Sequence, residues 1–136
     1  MTLPINLIAA VGKSGQVGLN GNLPWHDPED LKWFREMTTG GMVIVGEKTW
    51  PSVQHLDGSQ DRWFVNPFIW DDFQPVEARA LVNSENHNAI WIAGGPATWR
   101  RWAPHITRLY INRIDYDGDA DATFPFDAFP QLGGGR

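Results

Sequence analysis

Ile5-Asn6-Leu7-Ile8-Ala9-Ala10-Val11-Gly12 sets the reading of the whole chain. A nearly continuous apolar run ending in glycine suits a strand covered on both faces, and such strands belong to parallel sheets. A loop rich in Gly and Asn follows (Gly12, Gly15, Gly18, Asn20, Gly21, Asn22) and closes on Leu23-Pro24-Trp25. A loop of this length inside a compact domain is usually functional. Further buried strands are predicted at Met42-Val43-Ile44-Val45-Gly46, at Arg62 to Asn66, at Ala89 to Ala93 and, alternating in character, at Arg108 to Ile114. Helices are predicted from Asp27 to Met37, from Val76 to Leu81 and from Ala97 to Trp102, with a short helical turn opened by Thr49-Trp50-Pro51-Ser52. Alternation of this kind predicts one α/β domain over 1–136, a central mostly parallel sheet flanked by helices.

Composition narrows the function. The chain has 136 residues, 42% of them apolar and 20% charged, which fits one domain with its own core and not a disordered tail. It contains no cysteine, which excludes disulfides, thiolate metal sites, iron–sulfur clusters and thiol nucleophiles. A net charge of -5 without a Lys/Arg cluster argues against nucleic acid as a partner. The start Met1-Thr2-Leu3-Pro4 has no basic leader and Ile5 to Val11 is too short to span a bilayer, so no membrane and a cytoplasmic setting are expected. Gly133 to Arg136 reads as a flexible tail. His26, His55, His87 and His105 are scattered without a ligand spacing, so no metal site is expected. Ser14, Ser52, Ser59 and Ser84 lack the setting of a hydrolytic nucleophile. Eight Trp against two Tyr is more indole than a domain of this size needs for packing.

Asp27 reads as a helix N-cap, Pro28 as the first helical residue and Asp30 as the partner that closes the cap. Helical spacing also sets Asp30 beside Leu31 and Phe34, on the apolar face. A carboxylate at a helix start is often no more than a dipole-favoured group. On an apolar face it needs a partner, and a hydrogen-donating ligand is one. Gly94-Gly95 lies between a strand and a helix, as does Gly46-Glu47-Lys48-Thr49. Either is explained by a tight turn; together they suit the approach of a dinucleotide to exposed backbone N–H groups. Neither matches a Gly-x-Gly-x-x-Gly or Walker pattern.

Ile8-Ala9-Ala10, Gly18-Leu19-Asn20-Gly21-Asn22-Leu23-Pro24-Trp25, Pro28-Glu29-Asp30-Leu31-Lys32-Trp33-Phe34 and Val45-Gly46 with Thr49-Trp50 and Ser52 resemble dihydrofolate reductase. Ala93-Gly94-Gly95, Leu109-Tyr110-Ile111, Ile114 and Asp121-Ala122-Thr123-Phe124-Pro125 extend the resemblance in order along nearly the whole chain. It implies reduction of 7,8-dihydrofolate to tetrahydrofolate by hydride transfer from NADPH, in support of one-carbon metabolism. By the same resemblance Asp30 holds the pterin ring and promotes its protonation, and Trp25 fixes a water at the reacting bond. Ala9, Leu31, Phe34, Val53, Arg62 and Asn112 are the implied substrate contacts. Ala10, Gly18, Asn22, Gly46, Lys48, Thr49, Gly94, Gly95 and Trp99 are the implied cofactor contacts, Trp99 where the cofactor ring would stack. The Gly15 to Asn22 loop becomes a lid that excludes water.

Departures from the family pattern carry their own expectations. Glu47 stands where the family has a basic residue for the 2′-phosphate of NADPH, and Asn66 and Pro67 stand where it has hydroxyls, so NADH becomes possible. Gln60 aligns with the arginine that clamps the folate carboxylate, with Arg62 two residues on as the substitute. Asn112 stands where the family commonly has Thr, and Pro96 replaces the third glycine of a Gly run. After Thr123-Phe124-Pro125 the family adds an antiparallel strand pair where this sequence stops, predicting a C-terminally truncated fold. That leaves an unpaired edge near Arg108 to Ile114, in a monomer or an edge-paired homodimer. The alternative function is a shortened relative that binds folate or nucleotide with little turnover.

Overall fold

A computed structural model describes residues 3–66, 75–84 and 87–130. The expectations for Pro67 and the Gly133 to Arg136 tail lie outside those residues. Five strands form the main sheet: β1 (Ile5–Val11), β3 (Met42–Val45), β4 (Trp63–Val65), β5 (Ile90–Gly94) and β6 (Arg108–Arg113). They are ordered β4-β3-β5-β1-β6, and every pairing is parallel. Among the described residues four α-helices connect them: α1 (Pro28–Thr38), α2 (Trp50–Val53), α3 (Pro75–Ser84) and α4 (Pro96–Trp102). The predicted order of these main-sheet strands and helices is the observed one, and β6 is an edge strand paired only with β1 among the described residues.

Side chains of β1 and β3 alternate between two layers, as the pleat requires. Ile5, Leu7, Ala9 and Val11 share one core with Met42, Ile44, Trp99, Trp102, Phe124 and Phe129. Ile8, Val43, Val45, Phe64 and Trp91 form the other, against which Trp33, Phe34 and Met37 of α1 pack. Burying each large side chain of these layers stabilises the fold by about 1.5–3 kcal/mol. The chain leaves β1 toward β3 and leaves β5 toward β6, in opposite directions across the sheet. Ligands of open α/β sheets bind in the crevice beyond the carboxyl ends of strands at such a point.

The Gly/Asn loop holds a strand that periodicity did not show. Gln16–Gly18 (β2) pairs antiparallel with Ala122–Thr123 (β7), outside the main sheet. Further bonds run from Phe124 N–H to Gly15 O (2.8 Å) and from Asp121 N–H to Gly18 O (2.9 Å). The loop after β1 is therefore tied along its length to the loop after β6. No helix of the described residues is long and apolar enough to cross a membrane.

Candidate active site

Asp27 caps α1 as expected: its Oδ1 accepts from Glu29 N–H (3.1 Å) and Asp30 N–H (3.2 Å). The expected reciprocal closure by Asp30 is not made. The Asp30 carboxylate, 4% exposed, instead accepts from Asn112 Nδ2 at 2.9 Å through Oδ1 and from Trp25 Nε1 at 3.3 Å through Oδ2. Both partners come from other elements, Asn112 from β6 and Trp25 from the end of the lid loop, so tertiary structure decides where the side chain goes. Ala10 is the register partner of Asn112, which brings β1 to the same place. Carboxylate oxygens carry about four lone-pair sites between them, so two donors leave acceptor capacity for a ligand.

Apolar residues frame this carboxylate. Phe34 and Val53 pack half-buried against the second core, while Leu31 is 50% exposed and Leu23 42% exposed. Leu31, next to Asp30 in sequence, and Leu23, two residues before Trp25, thus offer exposed apolar surface to a ligand. Ala9 belongs elsewhere: its methyl lies in the first core, on the layer away from α1, which leaves only its backbone for contact.

Arg62 departs from the expected open clamp. It is 3% exposed and donates through Nε to Ser59 O (3.0 Å), through Nη1 to Thr38 Oγ1 (3.3 Å) and through Nη2 to Ser59 Oγ (2.6 Å) and Gln60 Oε1 (3.1 Å). Its guanidinium carbon stands 5.1 Å from the Phe64 ring centroid. Burial, together with the charge of Arg35, pulls its pKa below the usual arginine range. The guanidinium thus fastens the loop before β4 to the end of α1, and Gln60 is one of its acceptors.

A second group of residues gathers at the carboxyl ends of β3 and β5. Gly46 N–H donates to Gly94 O at 2.7 Å, and Thr49 and Trp50 N–H return to Gly46 O at 3.2 and 3.0 Å. The Gly94-Gly95 peptide is cis and Gly94 has φ 126°, in the region that glycine alone enters freely. A Cβ built on Gly46 would collide with Thr98 Oγ1, whereas one on Gly95 meets nothing nearer than Thr49 Oγ1 at 3.7 Å. Gly95 therefore has room for a methyl group beside Thr49. Thr98 joins this group without any earlier signal in the sequence; only the approach of α4 to β3 reveals it. Lys48 and Glu47 are exposed beside it. Trp99 is not: at 4% exposed, with Nε1–H donating to Ile92 O (3.1 Å) and its ring 5.2 Å from Phe124, it is core and offers no stacking face.

Gly18 and Asn22 sit in the loop after β1, the one the resemblance makes a lid. Leu19 and Asn22 close a tight turn by mutual backbone bonds of 2.8 and 3.1 Å, with Asn20 at φ 53° between them. Gln16, 5% exposed, is the lid's buried polar anchor. Its Oε1 accepts from Ser14 N–H (2.8 Å), and its Nε2 donates to Asp117 Oδ1 and Gly118 O (both 3.0 Å). The Ser14 hydroxyl donates to the same Asp117 oxygen, and these donors hold the Asp117 carboxyl below its usual pKa.

Comparison with known proteins bears on this arrangement. A family model described as dihydrofolate reductase matches residues 4–62. A dihydrofolate reductase of Buchnera aphidicola subsp. Acyrthosiphon pisum is 31% identical over 129 residues, covering 89% of this chain and 78% of its own length. A dihydromethanopterin reductase of Methylorubrum extorquens is 34% identical over 128 residues, covering 90% of each. Among solved structures, a dihydrofolate reductase from Enterococcus faecalis complexed with NADP(H) and RAB-propyl superposes with a TM-score of 0.70 at 24% identity. It covers 90% of this chain and 77% of that one. With matches of this extent, the chain belongs to the dihydrofolate reductase family.

Proposed function

We propose that the protein reduces 7,8-dihydrofolate to 5,6,7,8-tetrahydrofolate, with hydride delivered to pterin C6 and a proton to the adjacent ring nitrogen. The observation that carries this reading is the buried Asp30 carboxylate with Trp25 and Asn112 as its two donors. Its remaining lone pairs suit the ring N–H and 2-amino group of a pterin, which present donors side by side. Leu31, Phe34 and Val53 supply apolar surface for the ring and its aryl extension. Trp25 and the β2 lid exclude bulk water and order the solvent that passes the proton.

A nicotinamide dinucleotide fits a cradle at Gly46, Thr49, Gly94 and Gly95, where a Cβ on Gly95 would occupy room beside Thr49. Such a cofactor, when bound, supplies the hydride. Ala10 contributes through its backbone, and Gly18, Asn22 and Lys48 border the approach. Glu47, exposed directly after Gly46, repels a 2′-phosphate by about 1 kcal/mol at ~4 Å in water. Discrimination between NADPH and NADH is therefore weak. A kcat/KM ratio favouring NADPH by more than ~10³ refutes that preference.

The same head-group chemistry suits dihydromethanopterin, a reading favoured by the Methylorubrum relative's match over 90% of both chains. Following cofactor absorbance with each dihydropterin, for wild type and Asp30→Asn, tests both readings. Turnover with neither, or turnover indifferent to the substitution, refutes the proposed role.

A further inference from the structure

Tyr116 lies in the loop between β6 and β7, outside every residue so far assigned a role. Its backbone is fixed on both sides: the N–H donates to Ile114 O and the carbonyl accepts from Lys13 N–H, each at 2.8 Å. Its hydroxyl donates to Asp119 O at 2.7 Å. The ring then lies against Gly118, where an added Cβ would come within 2.6 Å of the hydroxyl oxygen and 2.8 Å of Cζ. Glycine at that position is what admits the ring. Gly12 admits the backbone rather than the ring, since a Cβ there would meet the Tyr116 carbonyl oxygen at 2.9 Å and Gln16 Oε1 at 2.5 Å.

This fixed ring touches one functional side chain. The Tyr116 and Trp25 ring centroids are 5.5 Å apart at 58°, within the range in which tilted aromatic pairs attract. Trp25 itself sits half-buried in a loop between Asn22 and the cap of α1, and its indole N–H reaches Asp30 only at 3.3 Å. A bond that long is sensitive to small rotations of the indole. Among the described residues no other aromatic ring packs on Trp25.

We propose that Tyr116 is a positioning residue for the reaction: it holds the Trp25 indole so that Nε1–H meets Asp30, and it links that pair to the Gln16–Asp117 clamp of the lid. The clamp and the ring share one short segment, since Tyr116 precedes Asp117 and its carbonyl binds the residue before Ser14. When the lid is seated on β7, the segment is fixed, and the indole with it. The kinetic part of this inference rests on the reductase reading; the contact itself does not.

The test uses Tyr116→Leu and Tyr116→Phe with the full chain. Tyr116→Leu should lower kcat with dihydrofolate about tenfold while KM for the nicotinamide cofactor stays within about twofold, because a displaced indole affects the reacting end alone. Tyr116→Phe keeps the ring and should restore most of kcat. The Trp25 indole N–H resonance, assigned with Trp25→Phe, should move in Tyr116→Leu and lie nearer wild type in Tyr116→Phe. Overhauser contacts between the two rings are expected in the wild-type protein. Their absence overturns the proposal whether or not a variant folds, as does an unmoved indole resonance. Equal losses in the Leu and Phe variants, with KM rising alongside, would show only a structural loop residue. A wild type inactive on every dihydropterin refutes the reductase reading and leaves the resonance and the ring contacts to decide on Tyr116.

Discussion

Asp30→Asn should separate stability from activity. The native carboxylate is 4% exposed and has two hydrogen-bond donors, neither of them cationic. A buried anion so sparsely supported costs the fold free energy. An amide of the same shape can keep both bonds: its oxygen accepts from Trp25 Nε1, and its Nδ2 donates to Asn112 once that side-chain amide is turned over. Removing the charge without losing a bond should leave stability unchanged or raise it by about 1 kcal/mol, since each unsatisfied buried polar group costs about 1–3 kcal/mol. Substrate binding suffers in the opposite sense. An amide offers one acceptor and two donors where the carboxylate only accepts, so a pterin N–H meets a donor. Losing two charge-assisted bonds of about 1.5–3 kcal/mol each lowers kcat/KM by roughly 10²–10⁴. Urea unfolding and steady-state kinetics on the same preparation read both effects. A variant destabilised by more than ~1 kcal/mol, or one that keeps above a tenth of wild-type kcat/KM, would refute the reasoning.

Gly95→Ala should fold normally, because its φ of −89° suits alanine and the added methyl has room, yet it should raise KM for the nicotinamide cofactor several-fold. An unchanged KM would remove Gly95 from the cofactor cradle. Glu47→Arg reverses the charge, a change of about 2 kcal/mol, and should shift the NADPH to NADH ratio of kcat/KM toward NADPH by about thirtyfold at low salt and less at high salt. A ratio insensitive to both refutes the placement of the 2′-phosphate. Gln16→Leu strands Gly118 O and Ser14 N–H and leaves Asp117 with the Ser14 hydroxyl alone, and should cost about 2–3 kcal/mol in unfolding free energy; a loss under ~0.5 kcal/mol would show the clamp to be idle. Ser14 and Gln16 lower the Asp117 pKa in the folded state, so their support is present above the unfolded carboxylate value and is lost as pH falls through the folded one. The Gln16 side-chain amide resonance should therefore be flat near neutrality and move only in acid, and Asp117→Asn should abolish that movement.

The main sheet was legible because each of its strands announces itself locally. β1, β3 and β5 are short apolar runs that end at or beside glycine, and the turns after β3 and β5 begin helices. α1 was equally plain from Asp27, Pro28 and the spacing of Leu31 and Phe34. β2 was not, because Gln16–Gly18 is short, half polar and completed by Ala122–Thr123 from the far end of the chain. Nothing local marks such a pair. The same limit explains Asp30: its sequence neighbours suggest a capping box, and only Asn112, 82 residues away, and Trp25 turn the side chain inward.

The indole excess shows how far composition can be read. Trp99 and Trp102 lie in one core and Trp91 in the other, while Trp33 and Trp50 cover the second layer and Trp63 the first. The resemblance put Trp99 at the cofactor; the structure gives it a core role, because its ring lies where a Cβ on Gly94 would come within 3.3 Å and Ile92 O accepts its N–H. Trp25 alone of the described tryptophans has its N–H on Asp30, and it is the one whose neighbour, Tyr116, no sequence motif singles out. A residue type in excess therefore does not identify its functional member. What identifies it is the carboxylate at the other end of the hydrogen bond, which helical spacing set on an apolar face while a cap and a ligand contact both stayed open, until Asn112 and Trp25 decided between them.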